Sequence, residues 1–481
     1  MSSESEYDVL IIGGGVLGTA IAAKLSQMTA KVCLVEKMGD VAEGASKGNS
    51  GVATSYYDQV GPLSERLTTM SYQRWEDICS RLDVPYKRIG SVMPAFTQEE
   101  EALLIPVFNN ATGCGVPVKM LTGKQAIELE PMISPACRAA VFLPADGIID
   151  PMRLTIAYAE LAAINGVAVR FNSPVIGFET EGDSLVAAIT PKRTIRARYF
   201  INAAGLYADN ISYLAGGEEF RMWPRKGQFW LLDSEFGSKF KHIIWGVTIP
   251  ESGNKGIHIV PTTSRSLLLG PSSKDIEDRH DTATDKETLS YVFEKTKRMA
   301  PAVSLDYATK AFASLRPACE EPFFVRMDHQ VPNLLHTVSR SIGVTTSPAL
   351  SDYVVDILKT AGLALEENLS AINRLPSIPK INYEKDPEKI DLSKVGSPFS
   401  QIVCVCEQVT AGEIEAALTA HVPARSINGI RKRTGATGGR CQGSVCMVGV
   451  AFQCSIHMNC SPEKVPQRDD GVDMGVGYER N

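Results

Sequence analysis

Four cysteines stand in two close pairs: Cys404-Val405-Cys406 and, after thirty-four intervening residues, Cys441-Gln-Gly-Ser-Val-Cys446. Four thiolates so grouped hold either Zn²⁺ or an iron–sulfur cluster. A single residue inside the first pair is unusual for a zinc ribbon. Arg425, Arg431, Lys432, Arg433 and Arg440 outnumber Glu407, Glu413 and Glu415 around them. A cationic neighbourhood suits a cluster whose thiolates leave it net negative. A second set of residues lies at the other end of the chain. Gly13, Gly15 and Gly18 fill a G-x-G-x-x-G pattern, and Glu36 follows eighteen residues after the last glycine. The first glycine permits a tight turn, the second a close approach of backbone to pyrophosphate, and the third close packing of helix on strand. The acidic side chain can bind both hydroxyls of an adenosine ribose, and it argues against a 2′-phosphate. FAD or NAD therefore fits better than NADP.

These residues need particular elements to hold them. Val9 to Ile12 reads as a buried parallel strand, Val16 to Met28 as a helix, and Lys31 to Val35 as a second strand. The pyrophosphate would lie on the N–H groups at the helix N-terminus. Residues 40–61 are small, polar and Gly-rich, and Ser46, Asn49, Ser50 and Gly51 offer hydroxyl, amide and backbone contacts. A helix is expected from Asp150 as N-cap and Pro151 at N1 to Asn165, closed by Gly166. Thr194 to Asn202 reads as a strand ending in Ala203-Ala204-Gly205. Residues 222–317 read as strand-rich, with a helix over 285–300. The Ser/Thr-rich segment from Ser341 is expected to open a helix at about Pro348. Residues 366–400, with Pro376, Pro379, Pro387 and Pro398, read as a surface linker. From 461 the chain reads as a polar tail.

The length of 481 residues allows two or three domains. A net charge of −6 leaves no broad basic field for nucleic acid. MSSESE carries no basic, then apolar, leader, and no run of about eighteen apolar residues spans a membrane. The expected location is cytoplasmic, with peripheral contact to the inner membrane face left open. The other seven cysteines read as buried thiols rather than a disulfide framework.

GGGVLG with Glu36, ASKGNSG, INAAG, PRKG, LRP and GVTTSPA come in an order that resembles the D-amino-acid-oxidase-like FAD-dependent oxidoreductases. The pattern is similar to FAD-linked glycerol-3-phosphate dehydrogenases, especially the anaerobic large subunit, and to L-2-hydroxyglutarate dehydrogenases. IVCVCEQVTAGEI and RKRTGATGGRCQGSVC resemble the bacterioferritin-associated-ferredoxin-like [2Fe–2S] domain. The resemblance implies an α/β architecture. A Rossmann-like FAD-binding domain is drawn from 1–85, 146–225 and 318–365. A β-rich (α+β) substrate domain is drawn from 86–145 and 226–317. After the 366–400 linker, 401–460 forms the [2Fe–2S] domain, and 461–481 the tail. FAD would meet Gly13, Gly15, Gly18, Glu36, Ser46, Asn49, Ser50, Gly51, Val175 (through its backbone), Ala204, Gly205, Gly343 and Thr345. Cys404, Cys406, Cys441 and Cys446 would hold the cluster.

The implied chemistry is dehydrogenation of a small anionic hydroxy compound, patterned on glycerol 3-phosphate. Electrons would leave through the cluster to an acceptor subunit or quinone. A 2-hydroxy-acid or amino-acid dehydrogenase on the same scaffold is the alternative within enzymes. Outside enzymes, the alternative is a flavin electron-transfer or assembly subunit with structural zinc. Arg316, in the LRP segment between the two domains, is the expected anion ligand, since its planar fork grips carboxylate or phosphate. Lys226 matches a Lys-Gly of the glycerol-3-phosphate enzymes and is expected near the flavin, with Arg225 facing solvent. His258 resembles a histidine of the L-2-hydroxyglutarate enzymes, and imidazole suits proton transfer at neutral pH. Members of this group commonly carry a histidine just after N-S-G, where this chain has Thr54, which cannot act as a base. Tyr56 and Tyr57 are the residues expected to line the pocket in its place.

Overall fold

The computed structural model describes residues 6–57, 61–247, 256–378 and 396–469. The linker prolines Pro379 and Pro387, and the tail beyond Asp469, lie outside the described residues.

The apolar run at the start forms β1 (Tyr7–Ile12), followed by α1 (Val16–Leu25) and β2 (Val32–Val35). β1 lies between β2 and the Thr194–Asn202 strand, parallel to both. The Ala168–Arg170 strand extends the sheet beyond β2, and Leu334–Ser339 extends it beyond Thr194–Asn202, again in parallel. Strands buried on both faces carry continuous apolar runs, and β2 is buried at every position. α1 packs with Pro151–Ile164 and Gly343–Thr360 over one face, around Ile21, Leu25, Leu34 and Leu350. Asp150 caps its helix as expected, its Oδ1 accepting from Met152 N and Arg153 N at 3.0 Å each.

A second, nine-stranded sheet stands across from the carboxyl ends of these strands. Its longest pair is Met222–Leu232 against Ala308–Cys319. The sheet has two dressed faces. Lys286–Met299 and Gly123–Leu129 cover one, over Val92, Ile244, Ile259 and Leu269. The other face, with Phe229, Val260, Leu268 and Phe312, meets Val52 and Ile148 of a small sheet that ties the two halves together.

Residues 366–378 run along the first sheet's helices. Asn368 N donates to Gln27 O at 2.8 Å and Leu375 N to Arg81 O at 2.9 Å. The C-terminal unit is a hairpin and three helices around Ile414, Ile430, Val450 and Cys454. Residues 461–469 pack onto it instead of trailing away: Val465 is fully buried and Asp469 reaches Ser426 at 2.7 Å.

Candidate active site and cluster centre

The cradle beside β1 is made of main chain. Gly13 has φ +117°, and a Cβ there would meet Ala203 O at 2.4 Å. A Cβ on Gly18 would lie 2.0 Å from Gly13 O, so helix and turn touch only because Gly18 lacks one. Gly15 differs: a Cβ there would meet only Ser46 Oγ, at 3.6 Å, which leaves room in front of the α1 N-terminus. Ser46 Oγ accepts from Val16 N at 3.0 Å. Glu36 accepts from Gly14 N at 2.6 Å and Met38 N at 2.9 Å. Burial pushes its carboxyl up, against the pull of those two N–H groups. Ser173 N donates to Glu36 O, which brings the 173–176 segment with Val175 alongside. Ala204 and Gly205 follow at the end of Thr194–Asn202.

The second helix N-terminus converges here. Gly343 lies against Val16 and Leu17, and Thr345 Oγ1 donates to Val52 O at 3.2 Å. This helix starts at Gly343, not at Pro348, which sits inside it. Ser347 Oγ donates to Val344 O at 2.9 Å, the carbonyl that the N–H missing from Pro348 would have served. The Ser46–Gly51 loop closes the cradle, Asn49 Oδ1 accepting from Gly51 N at 2.8 Å and Ser50 standing between them. Two convergent helix N-termini, an uncluttered turn at Gly15 and a carboxylate at the end of β2 fit a dinucleotide.

Strand alternation sorts the substrate-side candidates. On Ala308–Cys319, Phe312, Ser314 and Arg316 share the face toward the cradle, and Ser314 abuts Gly48 of the loop. Arg316 lies deep in the molecule yet keeps accessible surface, as a side chain lining a cavity does. Its Nη2 donates to Ser272 O at 2.9 Å, and its Nε has no hydrogen-bond partner among the described residues. Burial pulls the guanidinium down to about 10, still charged at neutral pH. His258 shares this face with Val260; it is buried, its ring 4.1 Å from that of Trp245.

Lys226 and Arg225 are reversed from expectation. Arg225 pairs directly with Arg316 across the strands, faces the cradle, and binds Asp275 at 2.5 and 2.7 Å. Lys226, one residue on, points to the opposite face, where it binds Asp281 at 2.8 Å. There it lines a cavity of about 970 Å³ with Gln228, Asp285 and Lys295, away from Arg316.

Tyr57, Arg225 and Arg340 act electrostatically on Arg316, as does the Asp275 carboxylate that Arg225 holds. Of these cations, Arg340 carries no expectation from the sequence. It precedes Ser341, whose φ is +78°, and the Gly343–Thr360 helix; its place directly before GVTTSPA was the available signal. Thr54, at the position of the missing histidine, is buried over Asp146. That carboxylate accepts from Ser55 N at 2.6 Å, Ser55 Oγ at 2.7 Å and Ser91 Oγ at 2.5 Å.

The four cysteines meet as two couples, Cys406 with Cys441 and Cys404 with Cys446. Two thiols per iron is the donor set of a [2Fe–2S] centre. Backbone N–H groups, that of Val445 first, pull the Cys441 thiol down to about 7. Cys404 and Cys446 are buried and Cys406 is exposed. Around them Val405, Val445, Val448, Phe452 and Ile456 are 56–76% exposed, an apolar rim beside the ligands.

The expected cationic setting is only partly there. Arg431 is half-buried near Glu407, and Arg440 reaches Asp233 at 3.3 Å. Lys432 and Arg433 turn away from the thiols and enter the first domain. Lys432 Nζ lies 2.8 Å from Asp40 and 3.5 Å from Asp469, and also binds Glu43; Arg433 grips Asp40 at 2.6 and 2.9 Å. Among the described residues no helix is long and apolar enough to cross a membrane.

Comparison with known proteins agrees with both centres. Residues 8–357 match the model of the FAD dependent oxidoreductase family, and residues 402–451 that of the BFD-like [2Fe-2S] binding domain. A glycerol 3-phosphate dehydrogenase of Caloramator mitchellensis is 34% identical over 446 residues, covering 92% of each chain. An anaerobic glycerol-3-phosphate dehydrogenase of Escherichia coli K12 is 26% identical, covering 91% of this chain and 86% of its own. The FAD-bound L-alpha-glycerophosphate oxidase structure from Mycoplasma pneumoniae superposes with a TM-score of 0.70 at 27% identity, over 78% of this chain and all of that one. With FAD and a [2Fe–2S] cluster as its cofactors, the chain belongs to the FAD-dependent oxidoreductase family.

Proposed function

We propose that this protein is a dehydrogenase of glycerol 3-phosphate, or of a closely similar small anionic hydroxy compound, that passes electrons through its cluster to a separate acceptor. The carrying observation is Arg316, a deeply enclosed guanidinium that faces the cradle and has an Nε without a partner among the described residues. The carboxylate that acts on it, Asp275, is held by Arg225, so a cation placed this way calls for a further anionic ligand. Arg340 and Tyr57 act on it electrostatically. The relatives named for glycerol 3-phosphate over nine-tenths of this chain's length support that anion as the phosphate.

FAD, when bound, supplies the hydride acceptor and can release the two electrons singly. The chain's own groups do the rest. Arg316 grips the anion and fixes the substrate carbon relative to the cradle. His258, on the same face, takes the hydroxyl proton. Phe229, Phe312 and Trp245 keep water from that face. The exposed Cys406 offers the outlet to an acceptor protein or quinone.

The test is anaerobic bleaching of the flavin by a panel of glycerol 3-phosphate, L-2-hydroxyglutarate, other 2-hydroxy acids and amino acids. Fast bleaching by glycerol 3-phosphate is the expected result. Bleaching by a carboxylate substrate alone overturns the phosphate assignment, and bleaching by none overturns the dehydrogenase reading.

A further inference from the structure

The segment 39–46 lies between the flavin cradle and the cluster domain and touches both. On its inner side Ala42 N donates to Gly14 O at 3.0 Å, and Ser46 Oγ accepts from Val16 N at 3.0 Å. Gly14 also donates to Glu36. This side therefore shapes the turn and helix N-terminus where a dinucleotide sits. Ala42 holds φ +60°, a left-handed backbone that a non-glycine residue keeps only when its surroundings enforce it.

The enforcing groups come from the cluster domain. Gly39 N donates to Asp469 O at 3.2 Å, and Val41 O accepts from Lys432 Nζ at 2.9 Å. Arg433 and Lys432 hold the Asp40 carboxylate; the three side chains are 4% exposed or less. Asp40, Glu43 and Asp469 could together hold a metal ion, but the Lys432 ammonium stands among them. Burial lowers the Lys432 ammonium, but those carboxylates outweigh it and hold it above its usual value. A buried pair of this kind resists separation, because removing one partner strands a charge away from water. The segment therefore cannot relax while the cluster domain is seated.

We propose that Lys432 and Arg433 are positioning residues for the flavin site, holding segment 39–46 in its FAD-binding form, so that seating of the cluster domain and retention of FAD strengthen each other. The coupling is reciprocal, as linkage requires, and a coupling of ordinary size changes affinity by ~10-fold or more.

The experiment titrates FAD into apoprotein of the full chain and follows flavin fluorescence, with iron and sulfide measured in parallel. Arg433→Met and Lys432→Met should each raise the FAD Kd by ~10-fold or more. Arg440→Ala, which removes an exposed contact to Asp233 and leaves segment 39–46 and the Asp40 pair in place, should change the Kd far less than Arg433→Met. Should the cluster-side variants lose their iron, Asp40→Asn decides, since it leaves the cluster domain's own sequence intact; it too should weaken FAD. Removing FAD from the wild type should speed amide exchange in residues 426–434. An unchanged Kd in Asp40→Asn, or unchanged exchange in 426–434 without FAD, overturns the proposal. So does an Arg440→Ala loss equal to that of Arg433→Met, which would make the effect one of general docking.

Discussion

On one side of the proposed site the groups offered to a ligand are main chain; on the other they are side chains standing on a sheet. The cradle is built from Gly13, Gly15, Gly18 and two helix N-termini, and its tolerance is set by atoms 2.0–2.4 Å from an absent Cβ. The facing wall, as proposed, is built from Arg316, His258 and Arg340, whose backbones are ordinary strand or strand end. The main-chain side recognises what every member of a dinucleotide-binding fold must recognise. The side-chain side can be changed without changing the fold, and substrate choice belongs there.

The cradle should break most completely. Gly18→Val is expected to lose bound FAD and to destabilise the protein by about 3 kcal/mol, through overpacking against Gly13 O. Flavin absorbance and a thermal melt check this, and a variant that purifies with a full complement of FAD contradicts it. Breaking the outlet leaves both walls standing: Cys441→Ser should keep FAD and allow one round of flavin reduction, while steady turnover with a one-electron acceptor stops. Stoichiometric zinc without iron in anaerobically prepared wild type would instead make that domain structural.

The side-chain wall should fail by degrees. Arg316→Ala should keep FAD and lower kcat/KM by about a thousandfold, with Arg316→Lys recovering only part because the planar fork is gone. His258→Ala should slow flavin reduction by about a hundredfold, and the pH–rate profile should lose its limb near neutrality. Lys226→Met sharpens the contrast at its faint end. From the opposite face of the strand it should change kcat/KM by less than about threefold, and a loss as large as that of Arg316→Ala would place the substrate on the other face.

This division also explains what could be read from the chain. The strand, glycine turn, helix and Glu36 were legible because main-chain recognition leaves a fixed spacing. The four thiols were legible because the Cys-x-Cys and Cys-x₄-Cys pairs are local, but the couples they form run between those two pairs. The orientation of Arg225 and Lys226 was not, because a period of two says which residues share a face but not which face looks inward. That was decided by the partner strand, where Arg316 lies opposite Arg225. Arg340 was not legible, because its influence on Arg316 comes from the meeting of two distant segments. Pro348 misled through a rule that usually holds, since Ser347 supplies the hydrogen bond the proline lacks. Lys432 and Arg433 sit among the basic residues of the cluster domain, and only the tertiary structure shows them reaching Asp40.

The buried charges at Asp40, Lys432 and Arg433 bear on how freely such domains can be recombined. A four-cysteine unit on a linker invites transplantation onto other flavoproteins, and truncation here at about residue 365. Either cut exposes a lock without its key: Asp40 and Glu43 remain on one piece, Lys432 and Arg433 on the other. A chimera that keeps the cysteines but not this charge pattern would carry its cluster and still fail to seat it. Descent in this lineage should therefore treat residues 39–43 and 428–433 as one inherited trait, exchanged together or not at all.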